Sequence, residues 1–237
     1  MSGYLVEAVN LTKNFGNVTA LNNFSISLPK GQIIGLLGPN GSGKTTFIKT
    51  IAGLLTPTSG SVKIDGHEPG DYTKSIVSYL PERTYFSGWM KVSDCLDYFC
   101  DFYSDFDRSV AEGMLRSLNV PTDRKLQTLS KGTKEKVQLV LVMSRKAKLY
   151  ILDEPIGGVD PAARDFILDT IISNYNPEAS VVISTHLITD VERVLDSFVF
   201  IHNGKLVMSG SCDDVRTQYE KSLDGVFREV FKCLPNC

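Results

Sequence analysis

Apolar residues along this chain follow two different periods. Phe24, Ile26 and Leu28 alternate with Ser25 and Ser27, which predicts a half-buried strand, and residues 4–11 read as another. Beyond the turn Pro29-Lys30-Gly31, the unbroken run Ile33-Ile34-Gly35-Leu36-Leu37 predicts a strand buried on both faces. Residues 61–64, closed by Asp65-Gly66, suggest a hairpin strand, and residues 75–80 a strand ending at Pro81. From about residue 84 to 146 the period becomes helical, over 92–103, 110–118 and 134–143. Runs at 148–152 and 180–183 restore buried strands, with a helix at 161–174 between them. Asp160 as N-cap and Pro161 at the first helical position mark its start. Residues 198–202, the Asn203-Gly204 turn and residues 205–208 read as a hairpin, followed by helices at 213–219 and 222–231. The expected class is α/β, with a helical insertion between strands.

Composition narrows the function classes. With 237 residues, 42% hydrophobic and 22% charged, the chain has the profile of a globular protein with a substantial core. A net charge of −2 lacks the basic footprint that nucleic-acid binding requires. Cys95, Cys100, Cys212, Cys233 and Cys237 are scattered and odd in number, as reduced thiols are. Cys233 and Cys237 have no second ligand pair and read as part of a tail, not as a clip or half a metal site. Met1-Ser2-Gly3-Tyr4 shows no signal-peptide pattern, and no run approaches the ~18 apolar residues of a membrane span. A soluble intracellular protein is expected.

One segment carries specific chemistry. Gly38-Pro39-Asn40-Gly41-Ser42-Gly43-Lys44-Thr45 follows the Ile33 strand and leads into the helical pattern from Thr46. That is the strand, glycine loop and helix order of a P-loop. Glycines let backbone N–H groups converge on phosphate oxygens, and the helix N-terminus adds a positive dipole end. Lys44 is placed to neutralise the β- and γ-phosphates, and the Thr45 hydroxyl to sit on Mg²⁺. Farther on, Leu149-Tyr150-Ile151-Leu152-Asp153-Glu154 puts two carboxylates at the end of an apolar strand, at the sheet edge where ligands gather. Asp153 suits Mg²⁺ and Glu154 suits a general base for an attacking water.

Leu129-Ser130-Lys131-Gly132-Thr133, ahead of that acidic strand, resembles the signature motif of the ATP-binding-cassette ATPases. Motif order fits along nearly the whole chain: aromatic loop, P-loop, Q-loop position, signature, acidic strand, D-loop at Gly157-Gly158-Val159-Asp160, then His186. The resemblance implies a P-loop NTPase (RecA-like) core with an antiparallel β subdomain and an inserted α-helical subdomain. The core would cover 1–83 and 147–237, and the helical subdomain about 84–146. It implies ATP and Mg²⁺ as cofactors. It also implies head-to-tail pairing with a second cassette, so that Ser130, Lys131 and Gly132 of one face the P-loop of the other. His186 resembles the switch histidine at the γ-phosphate, and Phe15 the aromatic residue stacked on adenine, with Val18 against the same base.

Three positions depart from the family's commonest sequence. Glu82 stands where a glutamine is usual, adding negative charge near phosphate and metal; Lys131 replaces a glycine and Thr133 a glutamine. Lys131 either lends a cation to the trans phosphate or turns to solvent. Lys44, Asp153, Glu154 and His186 are all kept, so hydrolysis is expected to survive. Tyr85, Phe86, Trp89 and Met90 form an apolar loop expected to contact a separate transmembrane permease subunit, or else to plug the helical subdomain. The chain would then sit at the cytoplasmic face of the cell membrane. The Tyr79-Leu80-Pro81-Glu82 segment and the signature are similar to bacterial cassettes that export antibiotics or peptides. Alternatives are a soluble cassette ATPase acting on nucleic acid or ribosomes, which the net charge and lack of a coiled-coil insertion disfavour, and a nucleotide sensor without turnover.

Overall fold

The computed structural model describes residues 3–157, 161–176 and 178–232. Two sheets organise it. β1 (Tyr4–Phe15) lies between β2 (Val18–Pro29) and β4 (Ser59–Ile64) in a three-stranded antiparallel sheet. The second sheet has the order β5-β6-β7-β3-β8-β9, from β5 (Val77–Leu80), β6 (Leu149–Asp153), β7 (Ser180–Thr185), β3 (Ile33–Leu37), β8 (Ser197–His202) and β9 (Lys205–Ser211). Its first five strands are parallel and β9 is antiparallel to β8. Every residue of β3, β6 and β7 is buried, as expected for strands covered on both faces.

The helices cover those faces. α1 (Lys44–Ile51) fills the space between the sheets, where Phe47, Ile48 and Ile51 meet Phe24 of β2 and Ile151 of β6. α6 (Pro161–Asn174), α7 (Ile188–Val191), α8 (Cys212–Tyr219) and α9 (Leu223–Lys232) pack on the other face. α2 (Asp71–Ile76) precedes β5. A third cluster, from Val92 to Leu141, draws on α3 (Val92–Phe102), α4 (Arg108–Ser117), the segment between α4 and α5, and one face of α5 (Lys131–Met143). Leu139, Val142 and Met143, also on α5, pack instead into the main core. One helix therefore serves two hydrophobic bodies.

Local differences from the sequence expectation have identifiable causes. Residues 75–80 were expected as one strand, yet α2 occupies the first part. Gly70 caps that helix, its N–H donating to the Thr73 hydroxyl at 2.8 Å, and only Val77 onward is extended. β4 pairs with β1, and the arm expected beyond Asp65-Gly66 is a single bridge between Ile64 and His67. β1 runs past Leu11 to Phe15 by absorbing register shifts. α5 begins at Lys131, not 134, because the Ser130 hydroxyl accepts from the Thr133 N–H at 3.2 Å and caps it there. Asp160, Cys233 and Cys237 lie outside the described residues.

Arg145, 4% exposed, pins the helical cluster to the sheet edge. Its guanidinium reaches Asp105 at 2.9 and 3.1 Å, the Val77 carbonyl at 2.6 Å and the Ser75 carbonyl at 2.8 Å, and it lies 3.9 Å over the Tyr103 ring. Replacing it leaves a carboxylate and two carbonyls without their donor. Arg145→Met is therefore expected to lose about 3 kcal/mol of stability. Urea unfolding checks this, and amide exchange should show the loss of protection concentrated around Asp105 and β5.

Candidate functional site

Four adjacent strand ends meet at one edge of the parallel sheet. The P-loop follows β3, His186 follows β7, Asp153 and Glu154 end β6, and Glu82 follows β5. Parallel register sets their depth: Leu37 pairs with Thr185, Asp153 with Ser184 and Leu80 with Leu152. The residues surround a cleft of about 690 Å³, lined by Asn40, Ser42, Lys44, Thr45, Glu154 and His186 among others.

The loop conformation depends on glycine at two points. Gly43 has φ +109, and a Cβ there would stand 2.6 Å from the Ala20 carbonyl; a Cβ on Gly38 would meet the Ile201 carbonyl at 2.3 Å. The Ser42 carbonyl accepts from the Gly204 N–H at 2.8 Å, so the β8–β9 turn braces the loop. Inside it, Lys44 is 5% exposed. Its ammonium donates to the Gly38 carbonyl at 2.8 Å and the Pro39 carbonyl at 3.2 Å, and stands 3.6 Å from Glu154. Burial lowers its pKa, and the Glu154 carboxylate opposes that shift.

Asp153 is 1% exposed. Its Oδ1 accepts from the Ser184 hydroxyl at 2.6 Å and the Thr45 hydroxyl at 3.2 Å, while Oδ2 is buried with no protein partner. Desolvation raises its pKa, the two hydroxyls oppose this, and Glu154 and Glu82 add to it. A buried carboxylate oxygen in want of a cation, beside a hydroxyl, suits a hard divalent ion. Among the described residues no cluster of three or more His, Cys, Asp or Glu is placed to hold a metal ion.

Glu154 adopts the left-handed conformation at φ 50. Its N–H donates to the Ser184 carbonyl at 3.0 Å and to the Ser184 hydroxyl at 3.1 Å, which fixes the turn and separates its side chain from that of Asp153. Its carboxylate meets His186 Nδ1 at 3.1 and 3.2 Å. Strain of this kind at a strand end is characteristic of functional sites. Ser184, which serves the Asp153 carboxylate and the Glu154 backbone N–H, carries no motif in the sequence.

Other sequence candidates distribute around this centre. Gly41, Gly43, Thr46 and Phe15 line the cleft; Phe15 is 47% exposed, with Lys13 Nζ 5.2 Å from its ring centre. Val18 pairs with Phe15 across the β1–β2 turn and is exposed, and Ala20, on the same face, takes the cleft position. Ser130 caps α5 and Gly132 lies in its first turn. Lys131 borders the cleft of its own chain and lies 3.7 Å from Glu135. Of the expected D-loop, Gly157 lines the cleft and 158–160 lie outside the described residues.

A second cleft, about 560 Å³, separates α1 and β5 from α3. Tyr79, Tyr85, Tyr98 and Phe102 form its aromatic walls, with Lys49 and Lys74 at its margin. Tyr98 and Phe102 stack at 4.4 Å. Tyr85 and Trp89 are exposed, whereas Phe86 and Met90 turn into the helical cluster. The apolar loop therefore both plugs its subdomain and presents a surface. Tyr98 and Phe102 stand at i, i+4 spacing on α3, which places them on one helix face.

The pKa direction at Asp153 fixes a testable sign. A raised folded value favours folding fully below the unfolded value of about 4, and that favour is lost as pH rises through the folded value. Without metal, Asp153→Asn is expected to melt above wild type at pH 7, by a margin that shrinks on acidification toward about pH 4. Thermal unfolding in a chelator tests this, and a margin that grows as pH falls contradicts it.

Known proteins agree with this geometry. The family model described as ABC transporter matches residues 21–157. The ABC-type transporter ATP-binding protein EcsA of Bacillus subtilis (strain 168) is 31% identical over 241 residues, spanning 96% of this chain and 97% of that protein. The SkfA peptide export ATP-binding protein SkfE of the same organism is 31% identical over 209 residues, 86% of this chain and 87% of its own length. A solved structure of an ATP-binding subunit of an ABC transporter superposes with a TM-score of 0.85 at 29% identity, covering 96% of this chain and 99% of that one. With the family model matching more than half of its length and a relative matched almost end to end, the chain belongs to the ABC transporter family, among its ATP-binding subunits.

Proposed function

We propose that this chain hydrolyses ATP with Mg²⁺ to drive export through a separate membrane subunit. The observation that carries the reading is the convergence of Lys44, Thr45, Glu154 and His186 on one cleft, with buried Asp153 bonded to Thr45 behind it. Lys44 and the loop from Gly38 to Thr46 bind the phosphates. Thr45, Asp153 and Glu82 are the residues that would hold Mg²⁺, which when bound would supply neutralisation of phosphate charge. Glu154 takes the proton of the attacking water, and His186 holds that carboxylate in place. Phe15 stacks on the base.

Two cassettes, identical or different, close on two nucleotides. Ser130, Lys131 and Gly132 of each present a capped helix start to the other's γ-phosphate, where the helix dipole favours an anion. ATP then stabilises the closed pair, and hydrolysis removes that stabilisation. Residues of about 84–146 act as the moving unit. Tyr85 and Trp89, with the aromatic cleft behind them, receive the membrane subunit, while Phe86 and Met90 support the loop from within. Among the described residues no helix is long and apolar enough to cross a membrane, which accords with a peripheral subunit. Export is supported by the likeness to SkfE, named for peptide export.

Glu154→Gln separates turnover from binding. It is expected to keep ATP binding, to lower turnover by about 100-fold or more, and to accumulate an ATP-dependent pair in size-exclusion chromatography. Equal turnover in wild type and variant contradicts the assignment of Glu154.

A further inference from the structure

Gln138 has no role in the machinery described so far. It lies on α5 with 3% exposure, in a run where Val137, Leu139, Val140, Leu141 and Val142 are all buried and apolar. A carboxamide there is unfavourable unless its polar atoms are satisfied. Its Nε2 donates to the Thr84 hydroxyl at 3.4 Å, which ties the helix to the loop that carries Glu82. Its Oε1 is buried and has no protein partner.

Gln138 lines a small cavity of about 20 Å³, walled also by Glu82, Glu135, Asp153 and Glu154 together with apolar side chains. The volume matches a single water, and the polar atoms around it are enough to hold one. Most of those atoms are acceptors. A water supplies the two donors the site lacks, one for Gln138 Oε1 and one for a carboxylate. Glu82 is the carboxylate on the loop that Gln138 already grips through Thr84.

The geometry points to Gln138 as a positioning residue: through one buried water and the Thr84 hydroxyl it fixes Glu82 beside the metal site. The amide absent at position 82 is in this way supplied from the signature helix. Because α5 also starts at Ser130, a shift of that helix displaces Glu82. This assignment rests on the nucleotide and metal occupying the cleft as proposed above.

The test measures Mn²⁺ binding by electron paramagnetic resonance, on protein saturated with a non-hydrolysable ATP analogue. Gln138→Leu keeps the volume and removes the polar atoms. It is expected to weaken Mn²⁺ binding roughly tenfold, the size of one hydrogen bond to a charged group. Metal-free nucleotide affinity should stay within about twofold, and the melting temperature should not fall, since an apolar core position tolerates leucine. In a Glu82→Ala background the same change should have less than about a twofold effect, because Gln138 acts only through that carboxylate. Unchanged Mn²⁺ binding in Gln138→Leu, or an equal loss without Glu82, overturns the assignment. If Gln138→Leu does not fold, Gln138→Met is judged by the same criteria. Wild-type protein that binds no Mn²⁺ with nucleotide overturns the metal reading itself, whereas normal wild-type binding with an unaffected variant removes only the role of Gln138.

Discussion

Parallel register in the six-stranded sheet is the constraint on which the site depends. Asp153 opposite Ser184, and Leu37 opposite Thr185, bring the P-loop, the acidic pair and His186 to one level of one edge. A slip of one residue would reverse every side chain on the slipped strand. Leu149 and Ile151 would leave the cluster shared with α1, and Tyr150 and Leu152 would leave the opposite one. The two apolar layers therefore hold the register, and the register holds the chemistry. Core packing and site geometry here are a single requirement.

Charge at that edge is arranged for a ligand. Lys44 is buried and its ammonium stands 3.6 Å from Glu154, while Asp153 keeps one oxygen without a protein partner. An isolated buried charge is costly, so each group has an incentive to acquire a counter-ion. Phosphate on Lys44 competes with Glu154 for the ammonium. Glu154 would then keep His186 as its named partner, which suits the base role proposed for it. A cation at Asp153 relieves the desolvation that raises its pKa. In the proposed reaction, binding would convert this self-compensated cluster into one poised for hydrolysis.

Much of this was legible because it is local. The loop from Gly38 to Thr45, the carboxylates after Leu152 and the helix starting at Pro161 are each set by neighbouring residues, and the structure bears out the α/β class they imply. What escaped was non-local. α2 was hidden because Ser75 and Ile76 continue smoothly into β5, and only the cap between Gly70 and Thr73 separates helix from strand. Ser184 looked like one more strand residue until Asp153 was brought opposite to it. Phe86 and Met90 could not be told from Tyr85 and Trp89 by composition; their direction is decided by the helical cluster under the loop.

The same distinction explains why α5 resists assignment to either body. Val137, Val140 and Leu141 on one face pack with the helical cluster, and Leu139, Val142 and Met143 on another pack with the main core, so the helix is shared by both. Arg145 strengthens that union by joining Asp105 to the carbonyls of Ser75 and Val77. Force applied at the aromatic cleft meets this joint before it reaches the sheet. Rotation of the helical cluster must then either repack one face of α5 or carry the edge strand β5, and Glu82 after it, along. Close-packed interiors deform little, so the second route is the less costly one, and it leads from the outer cleft to the carboxylates at the sheet edge.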